Sequence, residues 1–272
     1  MEKETNQLLN YIRSTFNYKV DIDALNFQDK AKLQLLKYKT YKVYFNNITT
    51  PMFKDKQKEY QQLTMKAFDV WSEAIHGKIK FKKVDKEYES DIKVFFLAES
   101  RTKLGKQYQE MIVSGCCGGV FSYIKGKLCI AIGIRNYKND KTAYDKVYHV
   151  ILHEIGHIMC LGHSSNKNDV MSGTAHKYIT KLSPNDIFVL RLIYKIGNGK
   201  SYKDEKKYIE ECVAKFVNYT TQKQMYTESL PLIEPKTDTE LKEAKNLLEE
   251  LDNISNLKKY KMIIENLNYH ID

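Results

Sequence analysis

The sequence predicts an α+β fold, in which a twisted mixed sheet of about five strands packs against two long helices and a C-terminal helix. Short segments that alternate apolar and polar residues recur through the first half of the chain, as expected of strands. Longer segments with apolar residues at helical spacing lie between and after them, bounded by proline, serine or glycine. An α-helical tail follows this part of the chain.

Composition excludes several classes of protein. The chain has 272 residues, of which 42% are hydrophobic and 29% charged, enough to bury a sizeable core. Four prolines and twelve glycines without a short repeat exclude collagen-like, low-complexity and solenoid folds. The five cysteines are an odd number and favour free thiols in a reducing compartment, with oxidation along an export pathway as the alternative.

The sequence shows no membrane or export signal. Its longest apolar runs, such as 94–98 and 130–134, fall far short of the roughly 20 residues that cross a bilayer. The first twenty residues contain charges and amides where a signal peptide needs an apolar stretch. We therefore expect no transmembrane segment, and we favour the cytoplasm over an unconventional export route.

Three regions are predicted along the chain. Residues 1–39 form a helical arm, residues 40–197 form the main domain, and residues 198–272 form a helical appendage that is a candidate protein contact. Strands are expected at 41–48, 79–84, 92–97, 120–123 and 128–134, and helices at 51–77, 143–161, 184–196, 202–219 and 239–267. The segment Ser183-Pro184-Asn185-Asp186 is typical of a helix start.

Positive charge is concentrated before the appendage. The net charge is +10, and residues 198–272 contain 12 lysines against 14 acidic residues, which leaves +12 for residues 1–197. A solvated lysine-rich surface explains this charge, and so does attraction to nucleic acid or an anionic membrane. The charge alone does not choose between these readings.

One helical segment contains a metal-ligand pattern. His153 and His157 are four residues apart, Glu154 lies between them, and His163 follows six residues later. On a helix this spacing places the two side chains about 40° apart around the helix axis and one turn apart along it, so both imidazoles can reach one ion. We expect Gly162 to let the chain turn so that His163 reaches the same ion. A helix face with solvated histidines is the alternative for the first five residues of the motif.

Three neutral imidazoles and one water make the four-coordinate zinc site of hydrolases. In such a site Glu154 takes a proton from the water and passes it to the leaving amine, while the metal polarises the scissile carbonyl. The pattern thus predicts one catalytic Zn²⁺, held by His153, His157 and His163, with Glu154 as the catalytic residue.

The segment HEIGHIMCLGHSS resembles the zinc helix of the metzincin metallopeptidases, and among them that of the matrixins (matrix metalloproteinases). Met171, eight residues after His163, is placed like the methionine of the family's Met-turn. Further similarities lie at 67–72, 90–92, 118–120 and 182–187, so the resemblance covers about residues 40–197. It implies a metzincin, zincin-like fold and a zinc-dependent endopeptidase that hydrolyses protein substrates through a zinc-bound water activated by Glu154.

The resemblance also implies substrate contacts. In matrixins an edge strand pairs with the extended peptide, and the residue four before the first zinc histidine lines the specificity pocket. The corresponding residues here are Gly119, Val120 and Phe121 on the edge strand, His149 at the pocket, and Gly173 where the pocket wall begins, with Tyr178 as a candidate wall residue. A partly exposed helix histidine without a role is the alternative for His149.

Several positions depart from the family pattern. Cys160 stands where matrixins have a left-handed glycine, at a cost of about 1 kcal/mol, and the alternative is that its thiol approaches the zinc. The first 40 residues contain no cysteine, so latency through a cysteine switch is unsupported. The family's structural-zinc histidines are replaced here by Ser122, Tyr123, Cys129 and Ile130. The sequence also contains no dense aspartate cluster that would support a calcium site.

Two other functions stay open. One is an intracellular metzincin-like protease that acts on nucleic-acid-associated proteins, which the missing signal and the basic main domain would fit. The other is a non-catalytic binding module of the same fold, against which the intact Glu154 and histidines argue.

Overall fold

The computed structural model describes residues 2–18, 32–48, 51–97, 119–124, 127–133, 143–174 and 178–229. Residues 1–218 form one compact unit and residues 219–272 a second, of which the described part is the end of one helix. The helices are α1 Glu2–Asn17, α2 Gln57–Ala74, α3 Ala143–Ile158, α4 Pro184–Ile196 and α5 Tyr202–Ser229. The strands are β1 Thr40–Phe45, β2 Lys80–Lys83, β3 Ile92–Leu97, β4 Gly119–Ile124 and β5 Lys127–Gly133.

The five strands form one mixed sheet in the order β2-β1-β3-β5-β4. All neighbours are parallel except β4, which runs antiparallel to β5 at one edge. The central strands β3 and β5 bury Val94, Ile130 and Ile132 completely, as expected of parallel strands covered by helices. The α+β fold with a mixed sheet is thus confirmed, while the helix predicted over 239–267 lies outside the described residues.

Helices α2 and α3 pack against each other and against the sheet. The helix predicted from Pro51 begins with a 3₁₀ segment, Pro51–Lys56, before α2. Trp71 of α2 is fully buried, and its indole Nε1 donates a hydrogen bond to the Leu152 carbonyl oxygen of α3 at 2.9 Å. Because a buried indole N–H needs a partner, this bond fixes how α2 lies beneath the segment that contains the histidines.

Helix α4 starts with the capping box that the sequence predicts. The Ser183 hydroxyl accepts a hydrogen bond from the Asp186 backbone N–H at 3.0 Å, and the Asp186 carboxylate accepts one from the Ser183 N–H at 2.9 Å. Pro184 occupies the first turn, and Gly197 ends the helix at φ 87°. These contacts satisfy free N–H groups at the helix start.

Helix α1 is packed into the core of the first compact unit. Its apolar face buries five side chains, namely Leu8, Leu9, Tyr11, Ile12 and Phe16. The same core includes Ile209, Val213 and Val217 of α5. The predicted boundaries after residues 39 and 197 stay predictions, but the core of this unit draws on helices from both sides of them.

The edge strand β2 accounts for part of the positive surface. Lys80, Lys82 and Lys83 are exposed there, and charged side chains on an edge strand discourage pairing with another chain. Attraction to nucleic acid stays an untested alternative to a solvated lysine-rich surface. Among the described helices, none is long and apolar enough to cross a membrane.

The link between α1 and α4 can be tested with Tyr11→Phe. The buried Tyr11 hydroxyl donates to Asp186 Oδ1 at 3.0 Å, and its loss leaves a buried carboxylate oxygen without its principal donor. We expect the free energy of unfolding to fall by about 1–3 kcal/mol, measured by urea denaturation. Tyr88→Phe is the control, because Tyr88 is 74% exposed. Equal stability of the two variants would contradict the role given to this hydrogen bond.

Candidate metal centre

Helix α3 presents His153 and His157 one turn apart, and backbone carbonyls fix both rings. His153 Nδ1 lies 2.9 Å from the Val170 oxygen, and His157 Nδ1 lies 2.8 Å from the Leu161 oxygen. A carbonyl only accepts hydrogen bonds, so each Nδ1 carries the proton and each Nε2 keeps a free lone pair. This outer hydrogen bond is typical of histidines that bind metal, because it fixes the tautomer and the ring direction.

His163 completes the group. Ligand atoms of His153, His157 and His163 all lie within 4.8 Å of one another. Within the described ranges, this is the only set of three or more histidine, cysteine or acidic side chains close enough to share an ion. The sequence prediction thus placed the three side chains correctly as a cluster.

The electrostatics of the three imidazoles suit a metal ion. Burial lowers the pKa of all three rings, that of His153 to about 4. The rings are therefore neutral near pH 7, as metal binding requires. Three imidazoles are a donor set that zinc prefers, so the residues present fit the ion that the sequence predicts.

Glu154 lies next to His153 on α3 and is only 5% exposed. Burial raises the pKa of its carboxyl to about 8, well above the ordinary value, because a charged carboxylate is poorly solvated there. Its carboxylate does not belong to the cluster of ligand atoms. Glu154 thus follows His153 directly in α3 and is buried, but it is not one of the clustered ligand residues.

Met171 packs directly against the backbone of α3, the helix that contains His153 and His157. A Cβ added at Gly156 would lie 2.2 Å from Met171 Sδ and 3.0 Å from Trp71. Glycine at this position therefore allows the thioether to approach α3 between Glu154 and His157. The Met171 side chain is completely buried.

Two buried aspartates hold the loop that contains Met171. Asp169 accepts hydrogen bonds from the hydroxyls of Ser164 at 2.6 Å and Ser183 at 2.8 Å. Asp186 accepts from the Val170 N–H at 2.9 Å. Burial raises the pKa of both carboxyls, that of Asp169 to about 6. The sequence revealed Asp186 only as part of a capping box, since nothing in the pattern shows its contacts with the loop.

The turn after α3 differs from the expectation for Gly162. Cys160 is the residue with left-handed backbone, at φ 72°, as its alignment with the family glycine implies. Gly162 is instead glycine because a Cβ there would lie 2.5 Å from the backbone of Ser14. The Cys160 thiol donates to the Gln34 carbonyl at 2.8 Å, and burial raises its pKa to about 12. The alternative of Cys160 as a zinc ligand therefore finds no support.

The predicted substrate-binding residues lie in two places. His149 is buried, with Nδ1 3.0 Å from the Ile179 carbonyl oxygen and its ring 6.3 Å from that of Tyr178. This burial argues against the alternative in which His149 is a partly exposed helix histidine. Gly173 lies beside His163, where an added Cβ would be 3.6 Å from the ligand side chain. Residues 119–121 begin β4, which is an edge strand of the sheet.

One aromatic residue at the site was missed by sequence reasoning. The ring of Tyr18 stacks on the His157 imidazole, with ring centroids 4.3 Å apart and planes within 7°. It also meets the edge of His163 at 6.4 Å. Tyr18 follows α1, far from the motif along the chain, so its position could not be read from spacing.

The geometry agrees with a comparison of families. The sequence profile of the Matrixin family matches residues 37–195, more than half of the chain. The chain belongs to the matrixin family. A search of curated proteins finds no matching relative. The match runs from β1 to α4 and includes the three histidines and Met171, while α1 and α5 lie outside it. Matrixin membership supports a zinc-dependent metallopeptidase, and the predicted resemblance is confirmed.

The packing of Met171 against the zinc helix can be tested with Gly156→Ala. The added methyl overlaps Met171 Sδ, and overpacking of this kind costs about 1–3 kcal/mol. The matched control is Gly173→Ala, whose methyl meets His163 at ordinary contact distance. We expect thermal unfolding of the metal-free protein to show a lower midpoint for Gly156→Ala than for Gly173→Ala. The reverse order would contradict this packing.

Proposed function

We propose that this matrixin is a zinc-dependent endopeptidase that hydrolyses peptide bonds within protein substrates. The observation that supports this best is the cluster of three neutral imidazoles, two of them oriented by backbone carbonyls, next to the buried carboxylate of Glu154. Zinc bound there would polarise the scissile carbonyl and lower the pKa of water. His153, His157 and His163 are the residues that would hold the ion.

Glu154 handles the protons in this proposal. It follows His153 directly in α3 and is not one of the clustered ligand residues. The positive charge of a bound ion would favour its ionised form, and the carboxylate would then accept a proton from the attacking water. It then returns that proton to the nitrogen of the leaving amine as the peptide bond breaks. Burial of the side chain keeps bulk solvent from competing for the proton.

The edge strand and the pocket residues would bind the peptide. An extended substrate would add main-chain hydrogen bonds along β4, which is an edge strand among the described strands, including residues 119–121, and this gives affinity without sequence selectivity. Selectivity then falls to side chains near the first histidine. His149 and Tyr178, which contact each other, are our candidates for that pocket, and Gly173 for its wall.

A digest of a peptide library by the full chain tests this function. New peptide ends that appear with zinc and vanish with a chelator are expected, identified by mass spectrometry. Cleavage inside the peptides, rather than release of terminal residues, distinguishes an endopeptidase from an exopeptidase. Zinc-loaded, folded protein that produces no new ends would favour the non-catalytic binding module.

Glu154→Gln separates proton transfer from metal binding. The amide keeps the size of the side chain but neither takes up nor releases a proton as a carboxyl group does, so hydrolysis should fall by about 10²- to 10⁴-fold. Zinc content should stay equal to that of the parent. Glu59→Gln on the exposed side of α2 is the control. Parental rates of peptide cleavage by a zinc-loaded Glu154→Gln protein would refute the proposed role.

Zinc stoichiometry tests the site itself. We expect one zinc per chain, lost in His157→Ala because two imidazoles alone hold the ion weakly. His76→Asn is the control, since this histidine is exposed and has the left-handed backbone that asparagine accepts. Elemental analysis after dialysis gives the content. A second tightly bound ion would contradict the predicted single site, and an ion retained by His157→Ala would show that it is bound elsewhere.

A further inference from the structure

Helix α1 lies outside the matrixin match, yet it contacts the segment that presents the third histidine. The Ser14 hydroxyl accepts a hydrogen bond from the His163 backbone N–H at 2.9 Å. The Thr15 hydroxyl accepts one from the Gly162 N–H at 3.0 Å. Two consecutive N–H groups of the turn after α3 thus find their acceptors on α1.

This contact is a close one between two backbones. A Cβ at Gly162 would lie 2.5 Å from the carbonyl carbon and oxygen of Ser14, closer than any side chain allows. The glycine is therefore required by α1. The helix is itself fixed, since Tyr11 bonds Asp186 and the apolar face of α1 is buried.

Tyr18, the residue that follows α1, contacts two of the proposed ligands, His157 and His163. The Tyr18 N–H donates to the Thr15 carbonyl at 3.1 Å, which ties Tyr18 to the helix end. Its ring lies parallel to the His157 imidazole at 4.3 Å and stands edge-on to His163, with 72° between the planes. The Leu161 carbonyl fixes one nitrogen of His157, and the Tyr18 ring restricts rotation of the imidazole out of its plane.

We propose that α1 is a permanent part of the metal centre, in which Tyr18 and Ser14 are positioning residues for the ligands His157 and His163. The inference rests on the proposed zinc site. It assigns to this chain a structural support that the matrixin-matched region lacks by itself. It also implies that removal of α1 would weaken the site and not activate it.

A covering lid is the competing explanation for the position of Tyr18. A lid would exclude substrate, so its loss would raise peptide cleavage and leave zinc affinity unchanged. A positioning residue has the opposite signature. The hydrogen-bonded partners of metal ligands typically contribute about 10- to 100-fold to metal affinity, and we expect a ring that holds a ligand in place to act in the same direction. Zinc release therefore distinguishes the two without reference to activity.

The experiment uses the full chain, loaded with one zinc, as the parent and as Tyr18→Ala, Tyr18→Phe and Ser14→Ala. Zinc release into excess chelator is followed with a chromogenic zinc indicator. We expect release about 10- to 100-fold faster for Tyr18→Ala and a smaller acceleration for Ser14→Ala. Tyr18→Phe should restore the parental rate, because it keeps the stacked ring.

Two controls separate positioning from loss of folding. Tyr88→Ala removes an exposed tyrosine of the same unit and should release zinc like the parent. Thermal unfolding of the metal-free proteins should show that Tyr18→Ala is still folded at the temperature of the zinc assay, with only a modestly lower midpoint, since the Tyr18 side chain is half-buried at the margin of the core.

The outcomes decide between the explanations. Parental zinc release by Tyr18→Ala would overturn the inference, and combined with faster peptide cleavage it would identify a lid. Faster release by Tyr18→Ala, restored in Tyr18→Phe, supports the inference even where the parent cuts no peptide. A parent protein that binds zinc but cuts no peptide would refute only the proposed peptidase activity. Failure of the proposed function and failure of this inference therefore give different results.

Discussion

The buried carboxylate of Asp186 joins three segments that are far apart in the sequence. It accepts hydrogen bonds from the Tyr11 hydroxyl in α1, from the Val170 N–H beneath the zinc helix, and from the Ser183 N–H before α4. A carboxylate buried this deeply must be saturated with donors, or its burial would cost several kcal/mol. Each donor is thereby fixed relative to the other two.

The orientation of the histidines follows from this arrangement. The N–H of Val170 is held by Asp186, and its carbonyl accepts the proton of His153 Nδ1. Met171, the next residue, packs against Gly156 of the same helix. On the other side, α1 is anchored by Tyr11 and contacts the turn that leads to His163. The loop that contains Val170 and Met171 thus contacts α3, and α1 contacts the turn to His163, so both segments hold the three imidazoles in place.

Local pattern predicted the parts of the fold that depend on nearby residues. The bounds of β3 match the prediction at 92–97, because its apolar residues up to Phe96 are buried, and the Ser183–Asp186 box marked the start of α4. The histidine cluster was predictable because four-residue spacing on a helix is a fixed geometry. The 3₁₀ segment at Pro51 was not, since a proline fits the first turn of either helix type.

Contacts between distant segments could not be predicted in the same way. Gly162 was predicted to form the turn. The left-handed turn residue is instead Cys160, and the glycine is required by the close backbone of α1. No sequence pattern marked Tyr18 as a site residue, because its stacking on His157 depends on the packing of two helices far apart in sequence. A single sequence contains no signal for such close approaches.

The position of the metal can be measured in a crystal structure of the zinc-loaded protein, with anomalous data collected on both sides of the zinc absorption edge. We expect one anomalous peak about 2.0–2.1 Å from a nitrogen of each of His153, His157 and His163, with a remaining position open to solvent. An ion bound elsewhere, or one held by a cysteine sulfur in place of one of these imidazoles, would contradict this expectation.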